Sequence, residues 1–291
     1  MNQIILNSLV SAGIYLLVAL GFSLIYNTAR FFHFAHGIVI TVGAYATFTL
    51  IVIIGLPIWL SIIGGITTSA LLGTGMEWAI YKPLRIRGGT SLILLLTSLG
   101  IYTALQAIIS IIYGSGTQTF RFGVVPESFL ILGARITFPQ VMIVGSSMAG
   151  CFIIWLLLIK TNIGLKIRAI ASDSELAADC GVNQNRVICV VFFLGSTLAG
   201  IIAVLLAYDT DITPLMGFRV LLMGMIVTII GGGGSIPGAA CGALLLSLMQ
   251  HLSAWMISSR WQDAIVFLVL ILFLLIRPQG MFGKPRRNKA M

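Results

Sequence analysis

The sequence predicts an all-α membrane protein, a polytopic helical bundle of about eight or nine transmembrane helices with its N-terminus outside and its C-terminus inside. Three observations predict it. First, 58% of the 291 residues are hydrophobic and only 9% are charged, with a mean hydropathy of +1.08. A soluble domain carries roughly 25% charged residues. The deficit is too large for a water-facing surface, and a chain flanked by lipid needs none. Second, the apolar residues fall in runs close to the ~20 residues that cross a bilayer as a helix. The alternating pattern of a membrane barrel, with strands of ~10 residues, is missing, which leaves helices as the spans. Third, the basic residues sit between these runs and divide unequally between the two sides.

The first run covers residues 4–26. Met1 to Asn7 carries no Lys or Arg, and no small-residue cleavage site follows a short apolar core. This predicts an uncleaved span and not a signal peptide. Further runs cover 34–54, 57–80, 91–113, 139–159, 187–207 and 263–276. Region 220–252 is also apolar but is interrupted by Gly231-Gly232-Gly233-Gly234-Ser235-Ile236-Pro237-Gly238. It predicts a broken helix pair, 220–230 and 238–252. Each half is short for a crossing, so the pair either re-enters or is completed by flanking residues.

With nine crossings and the N-terminus outside, Arg30, Lys82, Arg85, Arg87, Lys160, Lys166, Arg168, Arg186, Arg277, Lys284, Arg286, Arg287 and Lys289 fall on the cytoplasmic side. Only Arg121, Arg135, Arg219 and Arg260 fall outside. The split of 13 to 4 follows the positive-inside rule, and the reverse topology would invert it. The net charge of +9 therefore reads as topology and not as nucleic-acid binding. The basic run at the C-terminus, Lys284 to Lys289, reads as a stop signal at anionic lipid headgroups. Cys151, Cys180, Cys189 and Cys241 have no metal or redox spacing. The whole of 1–291 forms one transmembrane domain, with its larger loops at 114–138 outside and 160–186 inside.

Three stretches carry candidate function. In loop 160–186, Ser172 followed by Glu175 forms a capping box that starts a helix, and Gly181 stops it. The helix, over 173–180, is about 12 Å long. It is too short to stand alone in water, so it packs on the membrane surface or inserts into a partner's groove. The second stretch is Phe34 to Tyr45, which opens the second span after the polar Asn27-Thr28-Ala29-Arg30. His33 and His36 share a face if helical. Metal binding would need further ligands, so the pair reads as hydrogen-bonded interfacial residues. Gly37 and Gly43 permit close helix approach. The third is the Gly231–Gly238 break. It is either a plain cytoplasmic turn or irregular backbone that lines a pathway. A weak echo, Gly37 with Gly43-Ala44 and Gly238 with Gly242-Ala243, does not by itself make a repeat.

Several engines are missing. No G-x-x-x-x-G-K-[ST] is present, so the chain has no P-loop for ATP. Glu77, about four residues from the end of its span, and Asp263, which begins one, are the acids nearest the spans. Ion-driven transporters place such groups near the midplane. A hydrolase built from Ser235 and His251 fails on distance, because sixteen residues of one helix span about 24 Å. What remains is a permease powered from outside or, in another class, a passive channel for a small neutral solute.

Asn27-Thr28-Ala29-Arg30-Phe31-Phe32-His33-Phe34-Ala35-His36-Gly37 resembles the NFAHG signature of the permeases of branched-chain amino-acid ABC importers. Ile167 to Ala171 with Ala177 to Asn183 resembles that family's coupling loop. Gly233 to Ala239 and Arg277 to Gly283 match two further stretches, and the likeness keeps order and spacing from about residue 10 to 285. The resemblance implies a cell-membrane permease paired with a second homologous permease, two cytoplasmic ATPases that bind the ATP, and an extracytoplasmic solute-binding protein. It implies no cofactor or metal on this chain. The expected pathway residues are Phe34, His36, Gly37, Thr41, Gly43, Gly233, Gly234, Ser235 and Gly238. The expected ATPase-coupling residues are Arg168, Ser172, Asp173, Glu175, Leu176, Ala178, Asp179 and Gly181. One position departs: the family often has an acid directly after His-Gly, where this chain has Ile38. Hydrophobic amino acids are the expected cargo, with urea and short amides, carried by close relatives, as the alternative.

Overall fold

The computed structural model describes residues 1–119, 128–131 and 133–282. Arg121, Gly283 and the basic run Lys284 to Lys289 lie outside the described residues. In chain order the elements are α1 (Asn2–Ala29), α2 (Ala35–Ile53), α3 (Ile58–Ile86), α4 (Ser91–Tyr113), the hairpin β1 (Ser128–Ile131) and β2 (Ala134–Thr137), α5 (Phe138–Lys160), α6 (Asn162–Ser172), α7 (Ser174–Asp179), α8 (Gln184–Asp209), α9 (Met216–Gly231), α10 (Ile236–Met256) and α11 (Ser259–Ile276). Among the described residues, eight of these helices are long and apolar enough to cross a membrane, and α9 is a shorter apolar helix. Every expected run became a helix.

α1 is apolar on all sides, so it can be buried all round. It runs through the centre, against α5, α8, α9 and α10. α2 packs against α3, α4, α8 and α9, and α3 lies along α8. α4, α5 and α11 form the periphery and turn Ile111, Met148 and Leu275 outward. Lipid accepts such side chains at no cost.

The two ends are closed differently. At one end, Gln3 pairs with the backbone of Arg135 in β2, accepting from its N–H at 2.8 Å and donating to its carbonyl at 3.0 Å. The hairpin, with Ser128 paired to Thr137, was not anticipated. The Gln140 side chain then caps the start of α5, accepting from the Thr137 N–H at 3.1 Å. At the other end, Arg30 donates to the carbonyl of Ala171 in α6, and Arg85 donates to Asn185 in α8 at 3.1 Å. We call this the basic end.

Two connections enter the bundle. α1 ends at Ala29 with Arg30 in the left-handed region, φ 60°. Yet His36, in the first turn of α2, lies against Gly21, which stands eight residues before the end of α1 at Ala29. α2 therefore starts about 12 Å inside the bundle, and Phe31 to Phe34 return there as non-helical backbone. Buried backbone must find partners. Ser98 of α4 supplies them, accepting from the Phe34 N–H at 3.1 Å and lying 3.2 Å from the Phe32 carbonyl. α9 likewise begins beside α2 and not at the bundle surface. Its Phe218 ring packs on Tyr102, one turn beyond Ser98, at 5.1 Å.

Candidate functional site

The first turns of α2 and α9 lie side by side. A Cβ on Gly217 would stand 2.0 Å from the Gly37 carbonyl oxygen, so only glycine allows this approach. Thr41 fixes the register, accepting from the Gly217 N–H at 3.2 Å and donating to the Gly37 carbonyl at 3.3 Å. Two residues beyond Thr41, on another side of α2, Gly43 faces Ser69 of α3 and Ala203 of α8. Gly37 and Thr41 thus face α9, whereas His36 and Gly43 lie on another side of α2, toward α1, α3 and α8. Phe34 is half-buried and these four are buried. Ile38, next to Gly37 in the first turn of α2, is fully buried.

The two histidines differ from the expectation. They are not hydrogen-bonded interfacial residues. Both are fully buried, and among the described residues no ring nitrogen of either has a hydrogen-bond partner. The reason is the inward turn after Arg30, which carries them into the bundle. His33 precedes α2, so the pair does not share a helix face; the rings lie 6.0 Å apart. Phe31, Tyr81 and Phe192 surround His33, with ring centroids between 5.0 and 5.9 Å from it. The Tyr81 hydroxyl, on the ring beside His33, is also without a partner, as is the Ser196 hydroxyl, one turn beyond Phe192 and against Gly73 of α3. Each such group costs about 1–3 kcal/mol when left dry. A concentration of them in an otherwise apolar bundle marks a polar zone between α2, α3 and α8.

The Gly231–Gly238 segment is a turn near the basic end. Gly234 N–H donates to Ser23 of α1 at 3.1 Å, and Asn27 packs against Gly233 and Gly234. Ser235 caps α10, accepting from the Gly238 N–H at 3.1 Å. Gly231 and Gly238 touch backbone to backbone, which seats α9 on α10. The Arg277–Phe282 stretch clamps the turn: Met281 and Phe282 donate to the carbonyls of Ile230 and Gly231, at 2.7 and 3.2 Å. The hydrolase pair is not formed. His251 lies toward the far end of α10, where its ring nitrogen is 2.9 Å from Ser11 of α1.

The loop 160–186 folds as two helices. α6 buries Ile167 and Ile170 and exposes Arg168 and Ser172. α7 is six residues long and not eight. Its cap is Asp173 and not Ser172, because Ser172 is the last residue of α6. The Asp173 carboxylate accepts from the N–H groups of Glu175 and Leu176, at 3.1 and 3.2 Å. Gly181, with φ 79°, ends the element as expected. Ala177 faces inward, while Glu175, Leu176, Ala178 and Asp179 are exposed. Leu176 is 62% exposed at a polar end of the molecule, an apolar residue set out among charges.

Sequence reasoning missed three features. Tyr81, Phe192 and Ser196 carry no motif, and only packing assembles them. Ser98 looks like any small residue in an apolar run, because its partners are backbone groups far away in sequence. Glu77 is fully buried and ion-paired with Arg85, since α3 continues through a π-helical turn, Glu77–Tyr81, to Ile86. An acid eight residues before an arginine at the end of an apolar run was the available signal.

Residues 4–274 match the family described as "Branched-chain amino acid transport system / permease component". The high-affinity branched-chain amino acid transport system permease protein BraD of Pseudomonas aeruginosa is 31% identical over 99% of this chain and 97% of its own length. The corresponding LivH of Escherichia coli is 30% identical over 99% and 97%. A probable LivH of Methanocaldococcus jannaschii is 27% identical over 97% and 92%. In fold, the chain is similar to a chain of PsaBC from Streptococcus pneumoniae in complex with Fab, with a TM-score of 0.54, 13% identity, and coverage of 95% of this chain and 92% of that one.

Proposed function

The chain belongs to the branched-chain amino acid transport permease family, and on that premise we propose that it gives alternating access to branched-chain and other hydrophobic amino acids. It is a permease component and not an enzyme. Its transport system includes ATPase and solute-binding partners. A second, homologous permease completes the membrane unit as a heterodimer. The N-terminus faces outside and the basic end faces the cytoplasm. Phe34, His36, Gly37, Thr41 and Gly43 line the route, and Gly233, Gly234, Ser235 and Gly238 shape its cytoplasmic mouth.

One observation carries this reading. Two helices start inside the bundle, their first turns touch through Gly37 and Gly217, and partnerless polar groups lie next to that contact. Non-helical backbone at membrane depth is tolerated where protein or a water-filled path satisfies it, and broken helices mark transport sites. A route that brings water or solute to His36, Tyr81 and Ser196 when open would give these groups the partners that the described residues do not. Coupling runs through α6 and α7, where Arg168, Ser172, Asp173, Glu175, Leu176, Ala178, Asp179 and Gly181 meet the ATPase. Arg30 and Ala171 carry the motion into α1.

Uptake of labelled leucine by the assembled importer tests the route. His36→Ala and Gly234→Leu should each depress it, and unchanged uptake in both would sink the assignment. Glu175→Arg with Gly181→Pro should leave ATP hydrolysis running without uptake. Crosslinks from Cys180 that reach lipid but never an ATPase would count against the coupling role. Flux through the chain alone, without ATP, would favour a passive channel instead.

A further inference from the structure

Where α3 leaves the bundle beside the start of α8, a cavity of about 250 Å³ opens at the basic end. Two cations line it, Lys82 and Arg186, together with the side chains of Asn183 and Asn185. Glu77 also reaches the cavity, but its charge is committed to Arg85. Among the described residues, neither Lys82 nor Arg186 forms a salt bridge, although Lys82 lies within electrostatic range of Glu77. Three cations, Arg85, Lys82 and Arg186, thus stand against the single carboxylate of Glu77, which leaves the cavity with an excess of positive charge. Asn183 caps α8 through its carbonyl oxygen, accepting from the Arg186 N–H at 3.1 Å, which leaves its amide N–H groups as donors. These are the donors that a phosphate group takes: a guanidinium, an ammonium and amides.

The opposite wall is apolar and faces outward. Trp78 is 68% exposed and sits one turn before Lys82 in α3. Cys189 lies one turn into α8 on the same wall. An exposed tryptophan next to a lysine at the end of a membrane helix belongs at the lipid–water interface. A ligand seated here would place its negative group between Lys82 and Arg186 and an apolar body along Trp78.

We propose that this cavity binds the phosphate of an anionic lipid headgroup, with the acyl chains lying along Trp78. The site adjoins a joint. Asn185, in its wall, accepts from Arg85, and α8 is the helix that follows the α6–α7 loop. A bound lipid would brace the base of α3 against the start of α8.

The test uses the full chain in lipid nanodiscs, with Trp59, Trp155, Trp255 and Trp261 changed to Phe so that Trp78 reports alone. Brominated phosphatidylglycerol and brominated phosphatidylcholine are compared as quenchers at equal mole fraction. Each interfacial cation enriches an anionic lipid about fivefold, so phosphatidylglycerol should quench several-fold more strongly. Lys82→Gln with Arg186→Gln should bring the ratio to one. Lys160→Gln with Lys166→Gln removes the same charge elsewhere at this end and should leave the preference in place. Equal quenching by the two lipids, or a preference that survives the Lys82/Arg186 change, overturns the proposal. A third arm adds millimolar inorganic phosphate and reads alkylation of Cys189. Protection by phosphate with no headgroup preference would assign the site to a free phosphate and refute the lipid.

Discussion

The Glu77–Arg85 pair offers the sharpest energetic test. Glu77 is fully buried, whereas the Arg85 side chain is 17% exposed and has a second acceptor in Asn185 at 3.1 Å. The partners are therefore not equivalent. Arg85→Met leaves a carboxylate in an apolar interior with nothing to balance it, which costs about 3–5 kcal/mol. Glu77→Gln leaves Arg85 near water with Asn185 still bonded, and should cost about 1–2 kcal/mol. The double variant has no buried charge to strand. Its cost should be well below the two single costs combined, a coupling of about 2–3 kcal/mol. Reversible unfolding in bicelles, followed by steric trapping, measures all three. A loss below about 1 kcal/mol for Arg85→Met, or strict additivity in the double variant, would refute the claim that the pair is buried and mutually dependent.

Four further outcomes follow from the packing. Gly217→Ala drives a methyl to 2.0 Å from the Gly37 carbonyl and should destabilise by about 1–3 kcal/mol. Gly145→Ala, with open space around it, should gain up to about 1 kcal/mol in the same unfolding assay. Ser98→Ala strips the hydroxyl held by Phe32 and Phe34, and the Phe34 amide should exchange hydrogen at least tenfold faster, as about 1–3 kcal/mol of lost satisfaction implies. Gly280→Ala meets both a left-handed backbone, φ 83°, and Gly232 at 2.4 Å. It should loosen the bond from Met281 to Ile230, read as faster exchange at Met281 and a loss of about 1–2 kcal/mol.

The helices were legible because the bilayer imposes a length and a composition on each span. Residues 91–113 were read with the boundaries that α4 has. Limits elsewhere shifted by up to six residues, as with α3, where Lys82 and Arg85 sit at the end of the span and still belong to the helix. The coupling element was legible in place but not in detail. Ser172-x-x-Glu175 satisfies the capping pattern, yet Asp173 is the better acceptor and Ser172 was already committed to α6. The histidines were read as interfacial because a polar residue between two spans normally stays at the surface. Nothing local announces that the chain turns inward after Arg30.

The sequence by itself determined that this chain is a helical membrane bundle, where its spans lie, how its basic residues group, and through the order of four motifs which family it joins. These follow from local composition and spacing, which lipid reads directly. The tertiary structure alone decided that α2 and α9 begin inside the bundle, that Gly37 meets Gly217, that Ser98 holds the backbone of Phe32 and Phe34, and that His33, His36, Tyr81 and Ser196 are buried polar groups without a protein partner among the described residues. These are contacts between residues tens to hundreds of positions apart. They depend on how close two helices can come, and that distance is set by both partners at once and by neither segment alone.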